Sequence, residues 1–178
     1  MDLLMYSLLV IEDNDTMREG MIQALKKLGV KITAAVDGQE AVEVIDHTPV
    51  DVVISDYRLP EMNGLEVLGH IKATHHDVEV MIITAYGSIE LAVEAMQKGA
   101  ADFITKPFSP EELRLKIERL LTKIEQKRQL ERLAEENQYL KQELDEQLNF
   151  GEIIGESPKM KELYKIIAKV AKTDSSVI

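Results

Sequence analysis

Four short apolar runs in this sequence each end abruptly in polar or charged residues. Such a run, when a helical pattern follows it, is typical of a strand buried within a parallel sheet. Parallel sheets bind ligands at the carboxyl ends of their strands. The sequence therefore predicts one polar site at a single edge of a sheet. The side chains expected there are Glu12 and Asp13 after the run 7–11, Asp56 after 50–55, Thr84 after 78–83 and Lys106 after 101–105.

Segments with helical periodicity separate these runs along the first two thirds of the chain. Their apolar residues recur three or four positions apart, and Gly29 and Gly99 follow two of them as helix terminators. The alternation predicts an α/β fold, a doubly wound, flavodoxin-like, five-stranded parallel sheet. The predicted strands are 7–11, 30–36, 50–55, 78–83 and 101–105, and the predicted helices are 15–28, 38–45, 65–73 and one that Ser88 caps and that ends near Lys98.

A fifth helical pattern continues well beyond the length that such a domain can cover. Ser109, Pro110 and Glu112 form a favourable start, because serine caps a helix and proline suits its first position. Neither proline nor glycine then occurs before Gly151. The pattern predicts one helix from Pro110 to Gln147, roughly 57 Å long at about 1.5 Å per residue.

Apolar residues of this helix follow heptad spacing in two registers, with a break between Ile124 and Leu130. This spacing predicts a parallel homodimeric coiled coil in which Asn137 sets the register. The break indicates either a local distortion or a change from a domain-packing face to a dimer seam. The alternative is a single helix on the surface of its own protein. The predicted seam comprises Ile117, Leu120, Ile124, Leu130, Leu133, Asn137, Leu140 and Leu144.

The net charge of −11 is concentrated in the first 118 residues, which hold 21 acidic and 10 basic side chains. Nucleic-acid binding needs clustered lysine and arginine, so we expect no direct DNA binding by this chain. The absence of cysteine excludes disulfides and thiolate metal sites and fits a reducing compartment. The chain also lacks a secretory signal pattern and a long apolar stretch, so we expect a cytoplasmic protein without a membrane partner.

The acidic residues at the strand ends suggest a metal-assisted reaction. Glu12, Asp13 and Asp56 would repel one another unless a cation bound between them. A set of oxygen ligands favours Mg²⁺, which also accepts phosphoryl oxygens. One carboxylate could then attack phosphorus, while Lys106 and Thr84 hold the transferred oxygens. Taken singly, these residues also suit a helix cap, a strand-end hydroxyl and a solvated charge, so the interpretation depends on their joint placement.

Four motifs lie at the predicted strand ends, in residues 9–14, 53–64, 82–87 and 102–108. They read LVIEDN, VISDYRLPEMNG, IITAYG and DFITKPF. In this order they make residues 7–122 resemble the receiver domain of two-component response regulators. The resemblance implies that Asp56 is the phosphoacceptor. It also implies that Asp13, Asp56 and the backbone carbonyl of Arg58 bind Mg²⁺, while Glu12 acts through water.

The same resemblance assigns roles beside the phosphoacceptor. It implies that Thr84 is the switch hydroxyl, Lys106 the phosphate-binding lysine and Phe103 the switch aromatic. Phe103 has no hydroxyl, so its movement could only change packing; the alternative is an ordinary core aromatic. The resemblance also implies that a histidine kinase donates the phosphoryl group. A homodimer formed through the long helix that starts at Pro110, the linker helix, would respond to this phosphorylation.

Residues 153–160 and 168–178 resemble the entry to the AAA+ domain of NtrC-type, sigma-54-dependent transcription activators. We therefore expect a receiver domain at 1–122, a linker helix at 110–148 and the truncated start of an AAA+ ATPase domain at 149–178. A helix is predicted from Lys159 to Lys172 and a strand from Ser175. The chain is not expected to be a stand-alone enzyme, and contact with sigma-54 RNA polymerase would need further domains.

Two other functions compete with a phosphorylation switch. A phosphorylation-independent dimerisation scaffold would carry an inert receiver, but the intact acidic set argues against it. A hydrolase with an aspartyl nucleophile would need a second aspartate two residues after Asp56, where Arg58 stands. The four histidines, at positions 47, 70, 75 and 76, do not cluster with the acidic strand ends in the sequence, and surface positions are expected for them.

Overall fold

The computed structural model describes residues 6–85, 89–147 and 157–170. The chain divides into two compact units, residues 1–125 and 126–178. Strands and helices alternate through the first unit. In chain order the elements are β1 (Ser7–Ile11), α1 (Asp15–Lys26), β2 (Lys31–Ala35), α2 (Gly38–His47), β3 (Val52–Asp56), α3 (Gly64–Thr74), β4 (Glu79–Ala85), α4 (Ile89–Gln97), β5 (Asp102–Lys106), α5 (Pro110–Gln147) and α6 (Pro158–Val170).

The five strands form one parallel sheet in the order β2-β1-β3-β4-β5. The predicted doubly wound, flavodoxin-like fold is confirmed. The chain leaves β1 towards β2 on one side and later returns to place β3 on the other, so the strand order reverses between β1 and β3. Ligands bind at such a reversal, outside the carboxyl ends of the strands. Ile11 pairs with Ser55, which puts Glu12 and Asp56 at the same level of the sheet.

The core lies in two layers, one on each face of the sheet. Side chains alternate between the faces of a strand, so Leu8 and Val10 enter one layer while Leu9 and Ile11 enter the other. The first layer packs against α1 and α5, and the second packs against α2, α3 and α4. All strands except the edge strands are therefore buried on both faces, which explains their continuous apolar runs.

The strands that carry the site extend further than their apolar runs. β3 includes Asp56, and β4 continues through Thr84 to Ala85, because Asp56 pairs with Ile83 and Ala85 pairs with Lys106. α1 ends at Lys26, before the predicted Leu28, because the chain turns there towards Gly29, whose φ is +71°. The predicted cap Ser88 and the strand predicted from Ser175 lie outside the described residues.

The predicted dimer seam is wrong for its first three residues. Ile117, Leu120 and Ile124 are buried in the core of the first unit, with exposures of 0%, 5% and 7%. Their side chains therefore cannot form an interface with a second copy. A spacing of three and four positions serves a helix packed on its own sheet as well as a coiled coil.

The bounds predicted for α5 are confirmed, and its second part lies in the other unit. Ser109 caps the helix, since its Oγ accepts the backbone N–H of Glu112 over 3.0 Å. Leu130, Leu133 and Leu140 are exposed at 68%, 54% and 48%. The side chain of Leu144 lies outside the described residues. Among the helices of the described ranges, none has the length and apolar character of a membrane span.

Candidate functional site

Three carboxylates meet at the reversal of strand order. Glu12 and Asp13 follow β1, and Asp56 is the last residue of β3. One oxygen from each carboxylate lies within 4.8 Å of the others, and no other group of three such ligands among the described residues meets that distance. Glu12 and Asp56 are buried, whereas Asp13 is exposed. The sheet therefore brings together the acidic residues that the strand ends predicted, with one side open to solvent.

Lys106 supplies the positive charge of this cluster. It ends β5, and its side chain extends to the two buried carboxylates near β1 and β3. The Nζ atom donates to Glu12 Oε2 over 2.7 Å and also donates to Asp56 Oδ2. Two buried acids thus share one cation, which leaves the three carboxylates with an excess of negative charge.

Burial and pairing shift the protonation of the cluster. Burial raises the pKa of Glu12 above its ordinary value, although the hydrogen bond from Lys106 opposes that effect. Burial alone would lower the pKa of Lys106. Its hydrogen bonds to Asp56 and Glu12 outweigh burial and raise that pKa. The lysine therefore stays charged in the cluster, and Glu12 is the acid that binds a proton more readily than usual.

Arg58, Ser55 and Gly64 also lie close to Asp56. The backbone N–H of Arg58 donates to Asp56 Oδ1 over 3.1 Å, and the hydroxyl of Ser55 donates to the Asp56 carbonyl over 2.9 Å. Gly64, the first residue of α3, passes so close that an added Cβ would lie 2.3 Å from the Asp56 carbonyl oxygen. The role of the Arg58 carbonyl as a metal ligand stays a prediction.

The two expected switch residues, Thr84 and Phe103, lie on neighbouring strands. Thr84 is buried near the end of β4, one position after the partner of Asp56, and its hydroxyl donates to the Ala85 carbonyl over 3.4 Å. Phe103 lies half-buried on β5, and the Nζ atom of Lys116 is 5.9 Å from its ring centroid. Asp102 holds that lysine through both carboxylate oxygens, at 2.9 and 2.8 Å. The switch roles of Thr84 and Phe103 stay predictions.

The sequence analysis missed two residues that contact the backbone of the acidic residues. Arg18, on α1, donates from its guanidinium to the Glu12 carbonyl over 2.7 Å and also pairs with Asp15. Only its spacing of six residues from Glu12 could have indicated this contact, and that is a weak signal. The second missed residue is Gly64. Its position directly after Asn63, the helix cap, was the sequence signal that could have indicated it.

Comparison with known proteins connects this geometry to a family. Residues 8–118 match the response regulator receiver domain. This match contains all three carboxylates and the five strands except Ser7, the first residue of β1. In three dimensions the chain is similar to the signal receiver domain of a LuxO repressor protein from Vibrio parahaemolyticus. The TM-score is 0.68 with 30% identity, and the similarity covers 71% of this chain and 97% of that domain.

Two longer relatives match almost the whole chain. The regulatory protein AtoC of Escherichia coli strain K12 is 33% identical over 96% of this chain, and the DNA-binding transcriptional regulator NtrC of the same strain is 32% identical over 95%. These matches cover 36% and 34% of the relatives, so the chain spans about a third of their length. From the matched residues and the fold, the chain belongs to the response regulator receiver domain family.

Proposed function

We propose that this protein is a phosphorylation switch in which Asp56 accepts a phosphoryl group from a histidine kinase. The observation that supports this most strongly is the acidic cluster, in which Glu12, Asp13 and Asp56 converge within 4.8 Å and Lys106 contacts two of the three. An ordinary surface carboxylate would have neither a half-buried lysine partner nor two acidic neighbours. Membership of the receiver family supports the same reading.

The residues account for the chemistry of such a transfer. A carboxylate oxygen of Asp56 attacks phosphorus, and the bond from phosphorus to the kinase histidine nitrogen breaks with its electron pair moving to that nitrogen. The product is an acyl phosphate on Asp56. Lys106 holds the transferred oxygens as charge develops on them, and the Thr84 hydroxyl reaches them by turning away from the Ala85 carbonyl.

The donor set fits Mg²⁺. Three carboxylates offer hard oxygen ligands, and the exposed side of Asp13 leaves room for water and phosphoryl oxygens. We propose Asp13, Asp56 and the Arg58 carbonyl as direct ligands, with Glu12 acting through water. When bound, Mg²⁺ would neutralise the carboxylates and the incoming phosphoryl group. A bound cation would favour the ionised form of Glu12, whose pKa burial raises.

We propose that phosphorylation of Asp56 acts on a homodimer that forms through the linker helix. Leu130, Leu133 and Leu140 form an exposed apolar stripe on α5, and Asn137 lies between the last two. We propose that this stripe, with Leu144, pairs in parallel with a second copy and responds to Asp56. A coiled coil buries such a stripe, whereas an isolated helix leaves it in water.

The parts of the chain are proposed to be those of an NtrC-type regulator. Residues 1–122 would be the receiver, 110–148 the linker and 149–178 the start of an AAA+ ATPase domain that serves sigma-54 RNA polymerase. The near-complete matches to AtoC and NtrC support this order. We propose a cytoplasmic location and no direct DNA binding by this segment. A phosphorylation-independent scaffold is the second candidate, and the same exposed stripe favours it.

Incubation with a small phosphodonor such as acetyl phosphate separates the two candidates. With Mg²⁺, the intact mass of the wild-type chain should rise by one phosphoryl group, and the rise should disappear when the metal is chelated. Asp56→Asn should remove it, while Asp15→Asn, at an exposed aspartate of α1, should keep it. A wild-type chain that gains no mass would support the scaffold instead.

A further inference from the structure

All four histidines of this chain lie near the carboxyl ends of α2 and α3. His47 ends α2, His70 lies in the last turns of α3, and His75 and His76 follow that helix. Two of them reach the same atom, Asp46 Oδ1: His75 Nε2 lies 3.0 Å from it and His70 Nε2 lies 3.4 Å from it. The sequence did not indicate this cluster, because the partner of the two imidazoles comes from another helix.

Two of the three spacings in this group, those from Asp46 Oδ1 to each imidazole nitrogen, are close to the spacing of ligands around one metal ion. Zinc binds imidazole nitrogen and carboxylate oxygen at about 2.0–2.2 Å, so two tetrahedral ligand atoms are about 3.4 Å apart. The contact of 3.4 Å has that value, and the contact of 3.0 Å is shorter than it by about 0.4 Å. Only the acidic cluster has three ligand atoms mutually within 4.8 Å among the described residues, so the two imidazoles must rotate towards each other to close the site.

The surroundings allow that rotation. The side chains of His70, His75 and Asp46 are 31%, 32% and 41% exposed, so they can turn and solvent can reach them. Their backbones are held firmly, since the neighbouring Ile45 and Ile71 are buried in the core. Hydrogen bonds from His75 and then His70 lower the pKa of Asp46, which keeps its carboxylate available as an anionic ligand.

We propose that Asp46, His70 and His75 form a binding site for a borderline divalent cation of the Zn²⁺ class, separate from the acidic cluster. The imidazoles select such ions over Mg²⁺, which prefers oxygen. Bound metal joins the end of α2 to the end of α3 and stabilises the receiver against unfolding. We leave His47 outside the proposed site, because the contact seen for its ring is to its own helix, where Nδ1 lies 2.7 Å from the Glu43 carbonyl.

Calorimetric titration of the whole chain, without a polyhistidine tag and with saturating Mg²⁺, tests this site. We expect one Zn²⁺ to bind and to raise the melting temperature of the wild type. His75→Ala, His70→Ala and Asp46→Asn should each weaken binding by at least about tenfold, since even outer-shell changes weaken metal sites by about 10–100-fold. His47→Ala is the matched control, and it should leave the affinity unchanged.

Three results would overturn the site. They are an absence of stoichiometric Zn²⁺ binding, equal weakening by His47→Ala and His75→Ala, and loss of binding in Asp56→Asn. The last would place Zn²⁺ in the acidic cluster. Circular dichroism of each variant separates a lost ligand from a lost fold, and Asp46→Asn keeps the shape of the side chain if an alanine variant unfolds.

Discussion

Lys106 Nζ and Glu12 Oε2 lie 2.7 Å apart, although 94 residues separate them in the chain. The contact spans the sheet, because β5 is an outer strand and β1 lies beyond β4 and β3. The same nitrogen contacts Asp56, so one lysine fixes two buried acids, one directly after β1 and one at the end of β3. The cluster is therefore a product of the sheet topology and depends on this single cation.

Replacing Lys106 by methionine should destabilise the protein in the absence of Mg²⁺. The change leaves Glu12 and Asp56 buried without their cation, and breaking a buried pair costs about 3 kcal/mol or more. Urea denaturation measures the loss. Added Mg²⁺ should restore part of the lost free energy of unfolding, since the metal replaces the missing charge.

Lys98→Met provides the control for that measurement. Lys98 is 48% exposed and pairs with Glu94 one helical turn away, so its removal should cost no more than about 0.5 kcal/mol. Equal losses for the two variants would show that the Lys106 pairs contribute no more than a surface pair.

Glu12→Gln should change how stability depends on pH without Mg²⁺. The pKa of Glu12 is raised in the folded chain, so the native state keeps this proton to a higher pH than the unfolded state does. As pH rises above the ordinary glutamate pKa of about 4.3, the wild type should therefore lose stability relative to Glu12→Gln. Denaturation curves of both proteins between pH 4 and 7 measure this difference. A difference that grows in favour of the wild type would contradict the raised pKa.

Gly64→Ala should disturb the phosphoacceptor. An added Cβ would lie 2.3 Å from the Asp56 carbonyl oxygen, so the loop before α3 must shift, at a cost of about 1–3 kcal/mol. Both the unfolding free energy and the rate of labelling by a phosphodonor should fall. Gly69→Ala is the matched control in the same helix, because nothing lies within 4 Å of its Cβ, and it should stabilise by about 0.5–1 kcal/mol. Normal labelling of Gly64→Ala would show that the close approach is unimportant.

Leu133→Asp should convert the proposed dimer to a monomer. A charge at the centre of the exposed stripe would be buried in the coiled coil, so pairing becomes unfavourable. Leu115 has the same exposure of 54% but lies outside the seam, so Leu115→Asp should remain dimeric. Light scattering on a sizing column distinguishes the species. If Leu133→Asp keeps the molar mass of two chains, the stripe is not the seam.

The sequence predicted the sheet and the convergence of the acidic residues and Lys106 at one edge of it, because both follow from local patterns. Apolar runs that end in Glu12, Asp56 and Lys106 reveal buried strands and the edge at which they finish. Parallel topology then requires those ends to meet. The length of α5 was equally visible, since neither glycine nor proline interrupts it.

Features that depend on contacts between distant elements could not be predicted. The heptad spacing of Ile117 and Leu120 is the same whether they face a sheet or a second helix, and only the fold shows that they face the sheet. Arg18 reaches Glu12 because α1 turns back over the loop, and Asp46 meets His75 because α2 and α3 end side by side. Periodicity in the sequence does not indicate contacts of this kind.

The central claim, that Asp56 is the residue phosphorylated, is tested most directly by locating the modification. Borohydride reduces an aspartyl phosphate to homoserine, which peptide mass spectrometry identifies at a single position. After treatment with acetyl phosphate and Mg²⁺, homoserine should appear at position 56 and nowhere else. Homoserine at position 13, or none in a chain whose intact mass has risen by one phosphoryl group, would contradict the claim.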